Sequence, residues 1–127
     1  VIIVAGSVKD KEHVDTIKNF LTDIFTLNYF ISAHKNTREV LEVLDKYEEQ
    51  DRHIIYVTVA GRSNALSGVV ASNTKYPTIA CPPFKDNLDY MTNINSTLIC
   101  PSKVPVMTIL EPENVAIAIK KLFNLMI

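Results

Sequence analysis

Two short polar segments, each directly after an apolar run, carry the residues best suited to chemistry. One is Ser32-Ala33-His34-Lys35 and the other is Ala60-Gly61-Arg62-Ser63-Asn64. An imidazole ordinarily titrates near neutral pH, so His34 can serve as an acid or a base. Hydroxyls, lysine side chains and free backbone N–H groups at helix starts bind anions. The two segments therefore predict a small-molecule site that takes an anionic ligand.

A third polar segment follows the apolar run at the start of the chain. Gly6-Ser7-Val8-Lys9-Asp10 comes directly after Val1–Ala5. Ser7 and Lys9 suit a phosphate, and the carboxylate of Asp10 can accept hydrogen bonds from sugar hydroxyls. With His34 close by, the three segments together indicate a phosphorylated sugar whose reacting part lies beside an acid or base.

Short apolar runs alternate with amphipathic stretches along the whole chain. The third run is rich in β-branched residues, which favour strands, and the stretch between the first and second runs has the periodicity of a helix. The predicted strands are Val1–Ala5, Leu27–Ser32, His53–Ala60, Pro77–Cys81 and Val104–Leu110. The predicted helices are Asp10–Ile24, one that starts near Asn36, Asn64–Asn73, Asp86–Thr97 (helix or irregular) and Pro112–Met126. Asn36 and Glu39 have the spacing of a capping box.

Strands that alternate with helices predict right-handed βαβ crossovers and a parallel sheet covered on both faces. We expect one α/β domain over residues 1–127, a three-layer α/β/α doubly wound parallel sheet with a flavodoxin-like strand order. The carboxyl ends of parallel strands share one edge, where ligands of such sheets bind. The three polar segments all fall at that edge.

Composition limits the classes of binding partner and the cellular compartment that we expect. The net charge is −1, from 13 basic and 14 acidic residues, and no basic stripe indicates nucleic acid or a membrane surface. Cys81 and Cys100 lack a metal-ligand spacing and are expected to be buried small hydrophobes. Two thiols favour a reducing, cytoplasmic setting. His13 and His53 are expected on a helix surface and at a strand edge.

The three segments, in this order and spacing, resemble the phosphoribosylaminoimidazole carboxylase family of purine biosynthesis. The family's first motif, Gly-Ser-x-Ser-Asp, stands here as Gly6-Ser7-Val8-Lys9-Asp10, and its second motif as Ser32-Ala33-His34-Lys35. The class II branch, which uses carbon dioxide directly, has Ala-Gly-Arg-Ser-Asn, found here at residues 60–64. Class I has a second histidine where this chain has Ala65. The resemblance extends over essentially the whole chain.

The resemblance implies carboxylation of 5-aminoimidazole ribonucleotide to 4-carboxy-5-aminoimidazole ribonucleotide, without metal or organic cofactor. It makes His34 the general base and places Lys35 beside the phosphate or the incoming carboxylate. The substrate-binding residues that it implies are Gly6, Ser7, Lys9, Asp10, Ser32, Ala33, Ala60, Gly61, Arg62, Ser63 and Asn64. It also implies a homo-octamer or a related symmetric homo-oligomer.

Three positions depart from the family pattern. Lys9 replaces a serine, Ile99 stands where class II usually has a basic residue, and Lys103 stands where a glycine is usual. If that glycine has a positive φ, a lysine there is strained. These departures motivate a second hypothesis, a non-catalytic homologue that binds a phosphoribosyl ligand. A third hypothesis is a mutase of class I type that acts on the N-carboxylated isomer, against which Arg62-Ser63-Asn64 and Ala65 argue. The chain is also compatible with one part of a bifunctional polypeptide.

Overall fold

Five parallel strands form one sheet within residues 1–126, which are the residues that the computed structural model describes. Ile127, the last residue of the predicted domain, lies outside the described residues. The strands are β1 (Ile2–Ala5), β2 (Leu27–Phe30), β3 (Tyr56–Val59), β4 (Thr78–Ala80) and β5 (Met107–Thr108). The helices are α1 (Lys11–Asn19), α2 (Thr37–Glu48), α3 (Leu66–Ser72), α4 (Asn87–Leu98) and α5 (Pro112–Leu125), and a single 3-10 turn, Val8–Asp10, precedes α1.

The strand order is β2-β1-β3-β4-β5, with every pair parallel. The chain moves from β1 to one side for β2 and then to the other side for β3, so the direction of winding reverses next to β1. This order confirms the predicted doubly wound, flavodoxin-like α/β sheet, in which the ligand crevice lies at the reversal.

Apolar cores on both faces of the sheet fix the three layers. In β1, Ile3 and Ala5 pack in one core with side chains of α1 and α5, whereas Ile2 and Val4 pack in the other with side chains of α2 and α3. Alternation of side chains along a strand requires this division. A central strand buried on both faces explains why Val1–Ala5 is a continuous apolar run.

Helix α4 is attached differently from the other helices. Its buried residues are two polar ones, Asn93 and Thr97. Its apolar side chains point outward, and Leu88, Met91 and Leu98 are 77%, 59% and 60% exposed. The uncertain prediction for Asp86–Thr97 is therefore settled as a helix, and that helix is held by hydrogen bonds rather than by an apolar core.

No helix within the described residues combines the length and the apolar character that a bilayer crossing requires.

Several predicted boundaries were wrong. The first helix ends at Asn19 rather than at Ile24, although the turns that follow still bury Leu21. The fifth strand is two residues long because Pro105 cannot donate to the ladder and Lys103 turns the chain. The capping box at Asn36 is absent, since its side chain makes no capping hydrogen bond.

Lys103 has a φ of 68°, the left-handed region that a lysine enters at a cost. We predict that Lys103→Gly raises the free energy of unfolding by about 0.5–1 kcal/mol, because the relief of strain exceeds the added entropy of the unfolded chain. The measurement is urea unfolding followed by circular dichroism. Ser102→Gly, at a neighbouring residue without a positive φ, is the control and should not stabilise the protein. A Lys103→Gly variant less stable than the original chain would contradict the prediction.

Candidate active site

Backbone hydrogen bonds beyond the ends of the strands bring the three polar segments together. The N–H of Gly6 donates to the carbonyl of Val59 over 2.9 Å, and the N–H of Ile31 donates to the carbonyl of Ala5 over 2.8 Å. The loops after β1, β2 and β3 consequently leave the sheet side by side. The predicted clustering at the carboxyl edge of the sheet is confirmed.

A small cavity of about 160 Å³ lies where these three loops meet. It contains His34 and most of the predicted binding residues. Its lining consists of Gly6, Ser7, Asp10, Ser32, Ala33, His34, Ala60, Gly61, Ser63, Ala65 and Leu66. Small side chains and hydroxyls surround a single imidazole, so the space suits a planar ring with polar edges.

A larger cavity of about 640 Å³ adjoins the small one and shares Ser7, Asp10 and Gly61 with it. It adds charged groups of both signs and part of the segment after β4. Its remaining lining residues are Lys9, Glu12, His13, Thr16, Arg62, Pro83, Phe84, Lys85, Asp89 and Asn93. The two cavities form one cleft, and Ser7, Asp10 and Gly61 mark the boundary between its halves.

The first segment begins with a capped turn. The side chain of Ser7 accepts a hydrogen bond from the backbone N–H of Lys9 over 3.1 Å, which starts the 3-10 turn before α1. Asp10 is half-buried, and this burial raises the pKa of its carboxyl group, an effect that the positive charge of Lys85 partly offsets. Asp10 therefore faces both halves of the cleft with a carboxylate whose charge is only partly compensated.

The second segment forms a turn that exposes His34. The hydroxyl of Ser32 accepts the backbone N–H of Lys35 over 3.2 Å, and the carbonyl of Ser32 accepts the N–H of Asn36 over 2.8 Å. Ala33 is buried beneath this turn, while the imidazole of His34 reaches the small cavity from its exposed side. Lys35 is exposed and lines neither half of the cleft.

The third segment is held from outside by helix α4. Arg62 has a φ of 53°, and its backbone N–H donates to Oδ1 of Asn93. The backbone N–H of Asn64 donates to the hydroxyl of Ser96, and its side-chain amide donates to Oγ1 of Thr97 over 3.0 Å. Asn64 lines neither half of the cleft, and its role in framing the ligand stays a prediction. Its hydrogen bonds to α4 shape the loop.

Sequence reasoning missed the α4 contacts and the place of His13. His13 was expected on a helix surface, but it is half-buried, lines the larger cavity and lies with Nε2 3.1 Å from the carbonyl of Cys81. Burial lowers the pKa of His13 and raises that of the buried Cys81 thiol to about 12. His53 is exposed, and Cys100 is only partly buried, against expectation. Only the fold brings His13 to Cys81, so no local pattern predicts the contact.

The spacing of Asn93, Ser96 and Thr97 is the one signal that points to the α4 contacts. Residues three and four apart share a helix face, and these three side chains are polar in a helix whose apolar residues lie elsewhere. The pattern indicates a polar contact face, but its partner loop is more than 25 residues away in the sequence. Within residues 1–126, no group of three His, Cys, Asp or Glu side chains is placed to hold a metal ion.

Comparison with known proteins places the chain in a family. Residues 1–126 match the family model described as AIR carboxylase. A phosphoribosylaminoimidazole carboxylase of Archaeoglobus fulgidus is 43% identical over 98% of this chain and 68% of its own length. One of Treponema denticola is 42% identical over 98% of this chain and 79% of its own. The crystal structure of Treponema denticola PurE matches with a TM-score of 0.93 at 40% identity, over 98% of this chain and 79% of that one. The chain belongs to the AIR carboxylase family.

Proposed function

We propose that this protein carboxylates 5-aminoimidazole ribonucleotide with carbon dioxide, giving 4-carboxy-5-aminoimidazole ribonucleotide in purine biosynthesis. The observation that carries the proposal is the small cavity, in which His34 meets hydroxyls and small residues from three loops. Membership of the AIR carboxylase family and the names of the relatives support the same reaction. The free thiols of Cys81 and Cys100 fit a cytoplasmic enzyme.

The chemistry needs one base and a dry pocket. The amino group makes the imidazole ring an enamine, so ring carbon four attacks the carbon of carbon dioxide and a carbon–carbon bond forms. That carbon then carries both a hydrogen and the new carboxylate. Removal of the proton returns its electron pair to the ring and restores aromaticity. His34, at the mouth of the small cavity, accepts this proton in our proposal.

The remaining side chains of the cleft suit the phosphoribosyl part. Ser7 and Asp10 lie between the two halves of the cleft, where ribose hydroxyls would meet a hydroxyl and a carboxylate. Lys9 lines the larger cavity, and its ammonium supplies a point charge for phosphate in place of the family's serine. Lys35 lines neither half, so we assign it to the phosphate or carboxylate only at the exposed rim.

Carbon dioxide, rather than an N-carboxylated isomer, is the carboxyl source that the loop after β3 favours. Of the described residues that line the small cavity, His34 is the one imidazole, and Ala65 occupies the position of the second histidine of class I. A single base suffices to remove the proton after attack on carbon dioxide.

We predict that His34→Asn lowers kcat for carboxylation at least about 100-fold, because the variant lacks the general base. Binding of 5-aminoimidazole ribonucleotide, measured by calorimetry, should change little. His53→Asn, which alters an exposed histidine remote from the cleft, is the control and should retain full activity. If His34→Asn keeps near-normal turnover, His34 is not the base. If the original chain binds the ribonucleotide but never turns it over, the non-catalytic alternative is correct.

The carboxyl source is tested by a spectrophotometric assay with two donors. We predict turnover with 5-aminoimidazole ribonucleotide and dissolved carbon dioxide, and none with the N-carboxylated isomer once carbon dioxide has been removed. Ala65→His is the matched variant, since it restores the imidazole of class I at the lining of the small cavity. Turnover of the isomer alone by the original chain would assign it to class I.

We further propose that the protein assembles as a homo-octamer or a related symmetric homo-oligomer. The exposed apolar stripe of α4, formed by Leu88, Met91 and Leu98, supports a second copy as its cover. Large apolar side chains grouped on one helix face are rarely left in water. The opposite face of α4 holds the loop of the cleft, so assembly would bury the helix that shapes the site.

We predict that Met91→Asp produces a smaller species than the original chain in size-exclusion chromatography with light scattering, because a charge would be buried in the contact. Asn19→Asp introduces the same charge at an exposed polar residue of α1, outside the stripe, and is the control. It should leave the mass unchanged. A monomeric original chain, or equal masses for the two variants, would contradict the assembly.

A further inference from the structure

We propose that Asn93, which lines the larger cavity, is a positioning residue for carboxylation and acts by holding the loop Gly61–Asn64. The inference rests on the proposed function, since it concerns the same cleft. Asn93 is 2% exposed and lies on α4, 31 residues from the loop residue that it contacts. Its side chain connects the segment after β3 with the segment after β4.

Both ends of the Asn93 amide are used. Oδ1 accepts the backbone N–H of Arg62, and Nδ2 donates to the backbone carbonyl of Pro83. One partner can only donate and the other can only accept, so the orientation of the amide is fixed. A carboxylate lacks the donor, and an aliphatic side chain of the same volume lacks both groups. An amide of this length is therefore the side chain that meets the requirement.

The hydrogen bond between Asn93 and Arg62 matters because the backbone of Arg62 has an unfavourable conformation. Arg62 has a φ of 53°, where residues other than glycine are disfavoured. Such conformations persist only where the surroundings fix them, and they cluster at functional sites. The hydrogen bond that the Arg62 N–H donates to Oδ1 of Asn93 holds the backbone in this orientation.

Gly61 fits against the same side chain. A Cβ built on Gly61 would lie 2.9 Å from Nδ2 of Asn93 and 3.3 Å from its Cγ. The φ of Gly61 is not positive, so the need for glycine here is one of space and not of backbone conformation. Because Gly61 lines both halves of the cleft, the position of Asn93 sets the position of the wall that they share.

Loss of the Asn93 contacts should slow the reaction rather than weaken substrate binding. A shift of about 1 Å in a positioning group can lower the rate about 100-fold. The ribonucleotide contacts that we assign to Ser7 and Asp10 belong to the segment after β1, whereas the hydrogen bonds of Asn93 go to Arg62 and Pro83. Loosening the loop should therefore lower kcat far more than it raises the KM for the ribonucleotide.

The test compares Asn93→Leu and Asn93→Asp with Asn19→Asp, which changes an exposed asparagine of α1 outside the cleft. We expect Asn93→Leu to lower kcat about 100-fold, with KM for the ribonucleotide within about 3-fold of the original value. Asn19→Asp should leave both unchanged. The proposal would be overturned if kcat fell and KM rose by the same factor, or if the melting temperature fell while kcat stayed intact. In either case Asn93 would be only a structural residue.

The pH dependence of kcat in Asn93→Asp separates a positioning role from a merely structural one. When protonated, its carboxyl offers one acceptor to Arg62 and one donor to Pro83, as the amide does. The ratio of variant to original kcat should therefore rise as the pH falls from 8 to 6. The charged and ionisable side chains of the larger cavity are the same in both proteins, so the ratio removes their contribution; they are Lys9, Asp10, Glu12, His13, Arg62, Lys85 and Asp89. A ratio that does not change with pH would contradict the proposal. This test stays available if Asn93→Leu fails to fold.

Failure of the proposed function is distinguishable from failure of this inference. If the original chain shows no carboxylation, the function is wrong, and amide hydrogen exchange of Arg62 still tests the loop. Exchange should be at least about 10-fold faster in Asn93→Leu than in Asn19→Asp, because the N–H loses its acceptor. Equal exchange rates would overturn the role of Asn93 in holding the loop.

Discussion

The pairing of β1 with both β2 and β3 is the constraint on which the rest of the structure depends. β1 pairs in register with both neighbours over its full length, and the hydrogen bonds continue past its end to Gly6 and Ile31. Three loops therefore leave the same edge of the sheet within reach of one another. Apolar cores on both faces hold β1 in place, so the stability of the fold and the geometry of the cleft have a common origin.

Helix α4 supplies the part of the cleft that the sheet cannot. The sheet fixes where the loop after β3 begins, whereas Asn93, Ser96 and Thr97 fix its course through hydrogen bonds to Arg62 and Asn64. The polar face of the helix contacts the loop, so the apolar side chains on the other face point outward. The same helix thus links the proposed chemistry, through its polar face, with the proposed assembly, through its exposed face.

The sequence was sufficient for the strand order and for the loops that meet, because buried parallel strands are recognisable as apolar runs and their carboxyl ends share one edge. It was insufficient where a contact joins distant segments. His13 beside Cys81 and Asn93 beside Arg62 depend on packing that no local pattern encodes. The contacts of Asn64 with α4 were missed for the same reason. The strain at Lys103 was anticipated from a departure at a glycine position, because backbone conformation constrains the residue type directly.

The most direct test of the central claim is a crystal structure of the protein with 5-aminoimidazole ribonucleotide bound. Our account predicts the imidazole ring in the small cavity, with ring carbon four beside the imidazole of His34, and the ribose next to Ser7 and Asp10. A ribonucleotide whose ring lies in the larger cavity, beyond contact with His34, would contradict the account. So would one bound at the opposite edge of the sheet, where Phe25 and His53 line a separate cavity.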